Sequence, residues 1–207
     1  MPAQKILQSG NDDLRKRSKT VLKFDKRIVN LIKNLKDTLI AQSDPEGVGL
    51  AAPQIGISCR LFIFTDSKKL KVFINPEITW VSEETNDPPK LSKKQKAKSK
   101  DKFKEPKSQK TQEPEQEYIM EGCLSLPHYY GPVKRAKSIK VKYQRPEIVN
   151  GQWTMINEEK ELADLPAQIV QHEVDHLDGK LFIDHLIEQN RKLYYWNGKD
   201  WEEVELP

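Results

Sequence analysis

The spacing of apolar residues predicts two helices in this chain of 207 residues. Over residues 25–42, Ile and Leu recur at intervals of three and four positions, and Asp25 is placed to cap the start of the helix. A second helix is predicted over about 165–178, where Asp164 is the expected cap and Gly179 follows the end. Both segments carry an apolar face that has to be buried against other elements.

Shorter runs with alternating or continuous apolar residues predict strands between and around these helices. The runs are 57–65, 70–75, 77–81, 138–143 and 152–156. The Asn150-Gly151 and Asn197-Gly198 pairs favour hairpin turns, the second of them between two aromatic-rich runs. Because strands precede and separate two helices, we expect an α+β fold with mixed, largely antiparallel sheets around the second helix.

One segment interrupts this globular pattern. Residues 82–117 contain only three apolar residues among many Lys, Glu, Gln, Ser and Pro. Such a composition cannot bury enough surface to offset the entropy of the chain, so a disordered insert is predicted. The sequence is therefore interpreted as a single domain over 1–207, with this insert and a C-terminal aromatic hairpin at about 193–206.

The net charge of +4 also depends on that insert. Residues 88–110 hold ten Lys against one Asp and one Glu, which leaves the rest of the chain at about −4. No apolar run is long enough for a membrane helix, and no secretory or transit signal is recognised. Two cysteines cannot form a disulfide scaffold, so a reducing cytoplasm is expected.

The sharpest chemical signal is the pentapeptide HEVDH, from His172 to His176, inside the second predicted helix. Histidines four positions apart lie on the same face of a helix, so both imidazoles can bind one metal ion. Glu173 can reach a water molecule at that ion without being a ligand, an arrangement typical of metal-assisted hydrolysis. A charged, solvent-facing helix also matches these five residues by chance, so a third ligand is needed.

The third ligand distinguishes between classes of enzyme that carry HExxH. In the long zinc-protease motif HExxHxxGxxH the last ligand falls at Phe182, which cannot bind a metal. A Glu from a later helix would be Glu188, which lacks the usual flanking residues. The strongest remaining candidate is Cys123, because a thiolate and two imidazoles leave a fourth position for water. A lone cysteine is more often a small core residue, and Cys59, in an apolar strand, fits that description.

Three segments resemble the signature motifs of the peptide deformylase family and occur in the family's order. They are GVGLAAPQ at 47–54, EGCLS at 121–125 and QHEVDH at 171–176. The resemblance covers roughly residues 1–81 and 118–188. It implies an enzyme that removes the formyl group from N-terminal formylmethionine of newly synthesised proteins.

The resemblance also implies a metal centre and a proton carrier. Cys123, His172 and His176 would bind the metal, which is typically Fe²⁺ in the cell, with Zn²⁺, Ni²⁺ or Co²⁺ as substitutes. A metal-bound water would attack the formyl carbon. Glu173 would take the proton of that water and deliver it to the leaving amine.

Further positions follow from the same resemblance. The side-chain amide of Gln54 and the backbone N–H of Leu124 would donate hydrogen bonds to the developing oxyanion. Gly47 and Gly49 would let an extended peptide approach the backbone and pair with it as a strand. Four apolar residues are candidate walls of the pocket for the methionine side chain, although each could equally belong to the core: Val48, Leu50, Leu126 and Ile169.

Two other side chains near the motifs have two possible roles each. Glu121 and Asp175 would either orient a ligand histidine or form ion pairs with Arg135. The role of Ser125 is left open. Tyr130 stands where many family members carry an Arg near the mouth of the cleft, so the way in which the peptide beyond Met is held differs here.

The expected partners are N-formylmethionyl nascent peptides, with ribosome association as a further expectation from the Lys-rich insert. Without interleaved aromatic residues the insert favours salt-sensitive rather than specific nucleic-acid binding, and no membrane partner is expected. Two other functions are considered. One is a metallopeptidase, against which Phe182 argues, and the other is a non-catalytic module whose Lys-rich segment binds ribosomal RNA or an acidic protein.

Overall fold

A computed structural model describes residues 3–66, 69–87 and 119–206, which form an α+β fold. The α-helices of these residues are α1 (Lys26–Ile40), α2 (Asp164–Leu177) and α3 (Phe182–Glu188), and two 3₁₀ helices span Asp12–Arg15 and Ala52–Ile55. The strands are β1 (Gly49–Ala51), β2 (Leu61–Asp66), β3 (Lys69–Val81), β4 (Glu121–Cys123), β5 (Leu126–Gly131), β6 (Ser138–Val149), β7 (Gln152–Ala163), β8 (Leu193–Trp196) and β9 (Trp201–Val204). None of the described helices is long and apolar enough to span a membrane.

The strands form two antiparallel sheets. Five strands pair in the order β1-β2-β3-β6-β7, and four pair in the order β4-β5-β8-β9. Within the described part of the chain, β1 and β4 each lie at an edge of their sheet, so one side of each strand has no neighbouring strand there. The predicted class, with antiparallel sheets around the HEVDH helix, is confirmed.

Helix α2 is buried on nearly every side. Its Ala167, Val170, Val174 and Leu177 pack with Phe62, Phe64 and Phe73 of the larger sheet. The ring of Phe73 stacks between Phe62 and Tyr143, with centroids 4.8 and 4.0 Å away. Helix α1 packs on another part of this sheet through Leu31, Leu35 and Leu39. The HEVDH segment is therefore held rigidly inside the fold.

The turn chemistry agrees with the sequence in most places. Asp25 caps α1 by accepting hydrogen bonds from the N–H groups of Arg27 and Ile28. Asn150 and Gly151 both have positive φ, of 52° and 75°, as a tight hairpin turn requires. The Asn197-Gly198 hairpin also forms, between β8 and β9.

The prediction that Asp164 caps α2 is wrong. Asp164 is the first residue of the helix and has a left-handed φ of 55°. The capping position is Ala163, which makes no side-chain cap, and the Asp164 N–H donates to the Lys137 carbonyl instead. Tertiary pairing of the preceding strand thus sets the start of this helix. Gly179 follows its end with φ of 77°, as predicted.

The strand bounds also differ from the predicted runs. The run 57–65 forms a strand only from Leu61, and the two runs 70–75 and 77–81 form the single strand β3. A register shift between Ile74 and Glu77 accommodates Pro76 within that strand. The hairpin β6–β7 extends well beyond the predicted segments, because cross-strand pairing continues along the entire arms.

Residues 82–87 belong to the folded structure, although the predicted insert begins at 82. Thr85 forms a β-bridge with Ala136, and the side-chain amide of Asn86 donates to the carbonyl of Val133 at 3.1 Å. The remaining positions of the predicted insert, 88–117, lie outside the described residues. The insert prediction therefore remains untested there.

The fold predicts that replacing two leucines by alanine has very different effects on the free energy of unfolding. Leu35 of α1 is fully buried, whereas Leu22 is 90% exposed. We expect Leu35→Ala to lower the free energy of unfolding by about 2–5 kcal/mol, because it removes core contacts and leaves a cavity. Leu22→Ala is the matched control, with an expected change below about 0.5 kcal/mol. Urea unfolding measures both, and equal losses would contradict this description of the core.

Candidate active site

Two histidines and a cysteine meet on one side of α2. The rings of His172 and His176 lie one turn apart, with centroids at 4.8 Å and planes nearly perpendicular. Cys123, at the end of β4, places its Sγ 3.2 Å from His176 Nε2. The ligand atoms of these three residues all lie within 4.8 Å of one another. A thiolate with two imidazoles is a donor set that suits a divalent transition metal.

The other residues considered as a third ligand lie elsewhere. Phe182 is buried at the start of α3, with its ring centroid 6.4 Å from that of His172. Glu188 is largely exposed, and its carboxylate is 3.6 Å from His185. Cys59 packs against the core between α1 and the larger sheet, and burial raises the pKa of its thiol to about 11. These placements agree with the choice of Cys123.

A buried arginine organises the residues behind the histidines. Arg135 donates two hydrogen bonds to the Glu121 carboxylate, at 2.7 and 3.0 Å, and a third to Asp175. Glu121 in turn lies 2.8 Å from His172 Nδ1, so the other ring nitrogen of His172 is free to face Cys123. Asp175 also contacts His185 Nε2 at 2.9 Å. The two roles considered for Glu121 occur together, since it pairs with Arg135 and orients His172.

These charges shift the ionisation of the cluster. Burial alone would raise the pKa of the Cys123 thiol, but His176 and His172 outweigh it and hold that pKa well below its ordinary value. Burial would likewise lower the pKa of His172, but Cys123 and Glu121 raise it well above the usual range. The cluster therefore favours the thiolate form that metal binding needs.

Glu173 lies beside the cluster with an unsatisfied carboxylate. It is 3% exposed, and its Oε2 has no hydrogen-bond partner among the described residues. Burial raises its pKa to about 7, although the two histidines act in the opposite direction. A Cβ atom on Gly49 would overlap Glu173 Oε1, so a larger residue there would displace this carboxylate. The close approach of β1 at Gly49 thus makes room for the Glu173 side chain. The sequence did not reveal this contact.

The side-chain amide of Gln54 has one defined orientation. The Ala51 N–H donates to Gln54 Oε1 at 2.8 Å, and a backbone N–H can only donate. Gln54 Nε2 consequently faces the cluster, 3.2 Å from Ser125 Oγ and 3.5 Å from Cys123 Sγ. The Ser125 N–H also donates to Cys123 Sγ at 3.4 Å, which gives this serine a role in holding the thiolate.

A cleft of about 190 Å³ opens over Glu173, Gln54 and Cys123. Four of the predicted substrate-contacting residues line it, namely Gly47, Val48, Gly49 and Ile169, and so does Leu124. Several lining residues were not singled out from the sequence: Glu46, Ile119, Met120, His128 and Leu165. Their only sequence signal is that Glu46 and Met120 directly precede two of the motifs.

Two predicted pocket walls lie outside this cleft. Leu126 packs against a core cluster that contains Phe182 and Leu186, and it does not line the cleft. Leu50 is fully buried against α1 and belongs to the core. Leu50 lies next to Gly49, which lines the cleft, and neighbouring residues in a strand face opposite sides. Proximity to a motif thus did not place Leu50 in the pocket.

Comparison with known proteins agrees with this geometry. A sequence model of the polypeptide deformylase family matches residues 3–192. The peptide deformylase of Pseudothermotoga lettingae is 38% identical over 189 residues, covering 91% of this chain and 85% of that protein. The crystal structure of the Thermotoga maritima peptide deformylase matches with a TM-score of 0.64 and 34% identity, covering 89% and 98% of the two chains. That from Legionella pneumophila gives 0.63 and 33%, covering 89% and 86%.

The match extends over nearly the whole chain, and it includes all three segments that meet at the cleft. The chain therefore belongs to the polypeptide deformylase family.

Proposed function

This enzyme removes the formyl group from the N-terminus of formylated nascent peptides. We propose that the residues lining the cleft carry out this reaction. The observation that carries the proposal is the juxtaposition of the Cys123, His172 and His176 ligand atoms with the unpartnered Oε2 of Glu173. Buried polar groups normally have partners, so an unpartnered carboxylate oxygen in an open cleft indicates a ligand position.

The donor set fits a divalent metal ion. Cys123, His172 and His176 would hold it, with Glu121 orienting His172 from behind. A metal bound there polarises a carbonyl and lowers the pKa of a coordinated water. We propose Fe²⁺ as the native ion, in line with what the family resemblance implies, and Zn²⁺, Ni²⁺ or Co²⁺ as substitutes, because thiolate and imidazole ligands accept all of these ions.

Glu173 moves the proton in this proposal. Addition of water to the formyl carbon releases a proton, and departure of the peptide requires one at its amine nitrogen. The Glu173 carboxylate takes the first proton and delivers it to the amine. Its pKa of about 7 suits both directions of transfer near neutral pH.

Two donors stabilise the oxyanion that develops on the formyl oxygen. Gln54 Nε2 is held toward the site because its carbonyl end is anchored by Ala51. The backbone N–H of Leu124, directly after Cys123, is the second proposed donor. Donors fixed before the reaction need no reorganisation as the charge develops, which is why they stabilise the transition state strongly.

The two edge strands, β1 and β4, support the binding of an extended peptide. Gly49 of β1 and Gly122 of β4 both line the cleft, and no other described strand pairs with the outer edge of either strand. A peptide lying between them can pair with the backbone as an added strand. Val48 and Ile169 are then proposed to contact the methionine side chain.

The two other functions considered from the sequence find less support. A metallopeptidase of the long-motif class needs a ligand at Phe182, which is buried beside His172. A non-catalytic module does not account for membership of a family of enzymes. We retain ribosome association and a cytoplasmic location as proposals, supported by the substrate and by the ten lysines of residues 88–110.

Replacing the proposed proton carrier tests the mechanism. We expect Glu173→Gln to lower the rate of formate release from formyl-Met-Ala-Ser by about 10²–10⁴-fold, because the amide cannot accept a proton. Bound metal, measured by mass spectrometry, should be retained, since Glu173 is not a ligand. The matched control is Glu161→Gln on the exposed side of β7. Nearly full activity of Glu173→Gln would contradict the assigned role.

The proposed oxyanion donor gives a separate prediction. Gln54→Ala should lower kcat by about 10²–10³-fold with a smaller change in KM, because the lost hydrogen bond forms mainly in the transition state. Gln152→Ala, at an exposed position in β7, should leave both constants unchanged. If Gln54 had a purely structural role, Gln54→Ala would instead lower the melting temperature without a selective loss of kcat.

The residue behind His172 should control metal affinity. Glu121→Gln keeps the size and an acceptor oxygen but removes the charge that pairs with Arg135 and His172. We expect the affinity for Zn²⁺ or Co²⁺ to fall by about 10–100-fold, measured by competition with a chelator. The exposed Glu84→Gln variant is the control. Unchanged affinity in a folded Glu121→Gln protein would contradict the proposed support of His172.

A further inference from the structure

One histidine, His185, lies behind the proposed metal ligands without being one of them. The chain has four histidines, of which His172 and His176 are proposed ligands and His128 lines the cleft. His185 is on α3, and its side chain is 18% exposed. None of the three motifs includes it, and no step proposed for the reaction uses it. A largely buried imidazole beside the site therefore has no assigned role.

His185 donates a hydrogen bond to Asp175. Its Nε2 lies 2.9 Å from Asp175 Oδ2. Asp175 is paired with Arg135 as a carboxylate and can only accept, so Nε2 carries a hydrogen atom. Arg135 Nη1 donates to the same Asp175 oxygen and lies 3.3 Å from His185 Nε2. Because both nitrogens are donors, they converge on Asp175 and do not bind each other.

The second donor matters because one arginine serves two carboxylates. Arg135 and Glu121 are buried, and the Asp175 side chain is 19% exposed. Carboxylates with so little access to water depend on donors from the protein. Arg135 directs Nε and Nη2 to Glu121 and only Nη1 to Asp175. With His185 supplying another N–H to Asp175, Arg135 can keep its other two donors on Glu121.

Helix α3 fixes His185 and also the backbone beside Arg135. Three apolar residues of α3 are buried in a core cluster, namely Phe182, Ile183 and Leu186. Just after the helix, the side chain of Gln189 accepts a hydrogen bond from the Lys134 N–H at 2.8 Å and donates one to the Lys134 carbonyl at 3.1 Å. The helix thus holds Arg135 from two directions, through the preceding backbone and through the His185 side chain.

The contacts continue from Arg135 to a proposed metal ligand. Glu121, which Arg135 holds, lies 2.8 Å from His172 Nδ1. A carboxylate behind a ligand histidine fixes the orientation of the imidazole and increases its basicity. A change in the position of Arg135 would turn the Glu121 carboxylate and would loosen the His172 ring. His185 is therefore connected to His172 by an unbroken series of hydrogen bonds.

We propose that His185 is a positioning residue for the metal centre. Its Nε2–H holds Asp175 against Arg135, and this contact keeps Glu121 directed at the ligand histidine. The proposal rests on the proposed set of metal ligands, and it adds a requirement for retaining the metal. It makes α3, and not the HEVDH segment of α2 alone, a determinant of metal affinity.

The affinity for Zn²⁺ measures this role without reference to activity. It is determined on the full chain by competition with a chelator. We expect His185→Leu to weaken Zn²⁺ binding by about fivefold, which is less than the loss of about 10–100-fold typical of a residue that contacts the ligand itself. His185→Gln should stay within about twofold of the unsubstituted protein, because its amide N–H reaches about as far as Nε2 and also donates. His185→Asn is one carbon shorter and should resemble His185→Leu.

Two further variants separate positioning from a general loss of stability. Ile187→Ala alters the same helix at a residue that is 52% exposed, and it should leave the Zn²⁺ affinity unchanged. If His185 acts through Glu121, adding His185→Leu to Glu121→Gln should weaken binding by less than about twofold, since the effects of residues in one hydrogen-bond network are not additive.

The melting temperatures of the metal-free proteins establish which variants are folded, and His185→Asn replaces His185→Leu if the latter is not. Unchanged Zn²⁺ affinity in the folded variant would overturn the proposal. A loss in His185→Gln as large as that in His185→Leu would also overturn it, as would fully additive effects in the double variant. Failure of the unsubstituted protein to bind Zn²⁺ would instead contradict the metal centre of the proposed function.

Discussion

The buried ion pair between Arg135 and Glu121 is the interaction on which the site depends. Arg135 joins β4 to α2 through Glu121 and Asp175, and its backbone N–H is held by the side chain of Asn86 at 2.8 Å. Removing one partner of such a pair leaves a buried charge and destabilises a protein by about 3–5 kcal/mol. The pair thus fixes the distance between Cys123 on the strand and the two histidines on the helix.

The position of Glu173 is a second constraint, and it opposes stability. A carboxylate that is nearly inaccessible to water and lacks a partner on one oxygen is unfavourable in the folded protein. The surrounding structure maintains it because α2 is packed on almost all sides and β1 approaches it at Gly49. Strained or poorly solvated groups of this kind are typical of active sites, where the same burial brings a pKa near neutrality.

The two sheets divide the work of the enzyme. The larger sheet and α1 provide the core against which α2 is held, whereas the smaller sheet presents Cys123 and the outer wall of the cleft. Strands β8 and β9 extend the smaller sheet, and Trp201 of β9 contacts Tyr130, which lines the cleft.

The features that the sequence by itself determined are those that depend on interactions between residues close together in the chain. The periodicity of α1, the cap at Asp25, the Asn150-Gly151 turn and the four-residue spacing of His172 and His176 depend on neighbouring residues, and each forms as predicted. The order of the three motifs then identified the family. The cap at Asp164 and the bounds of the strands could not be predicted, since pairing with distant segments decides them.

Only the tertiary structure decided which residues face the cleft and which pair behind it. Leu126 follows the Cys123 motif closely but packs against the core and does not line the cleft. The amide orientation of Gln54 and the pairing of Glu121 with Arg135 require partners that chain folding brings together. The sequence determined the chemical groups and their local spacing, while long-range packing determined their distances, orientation and exposure, on which the chemistry depends.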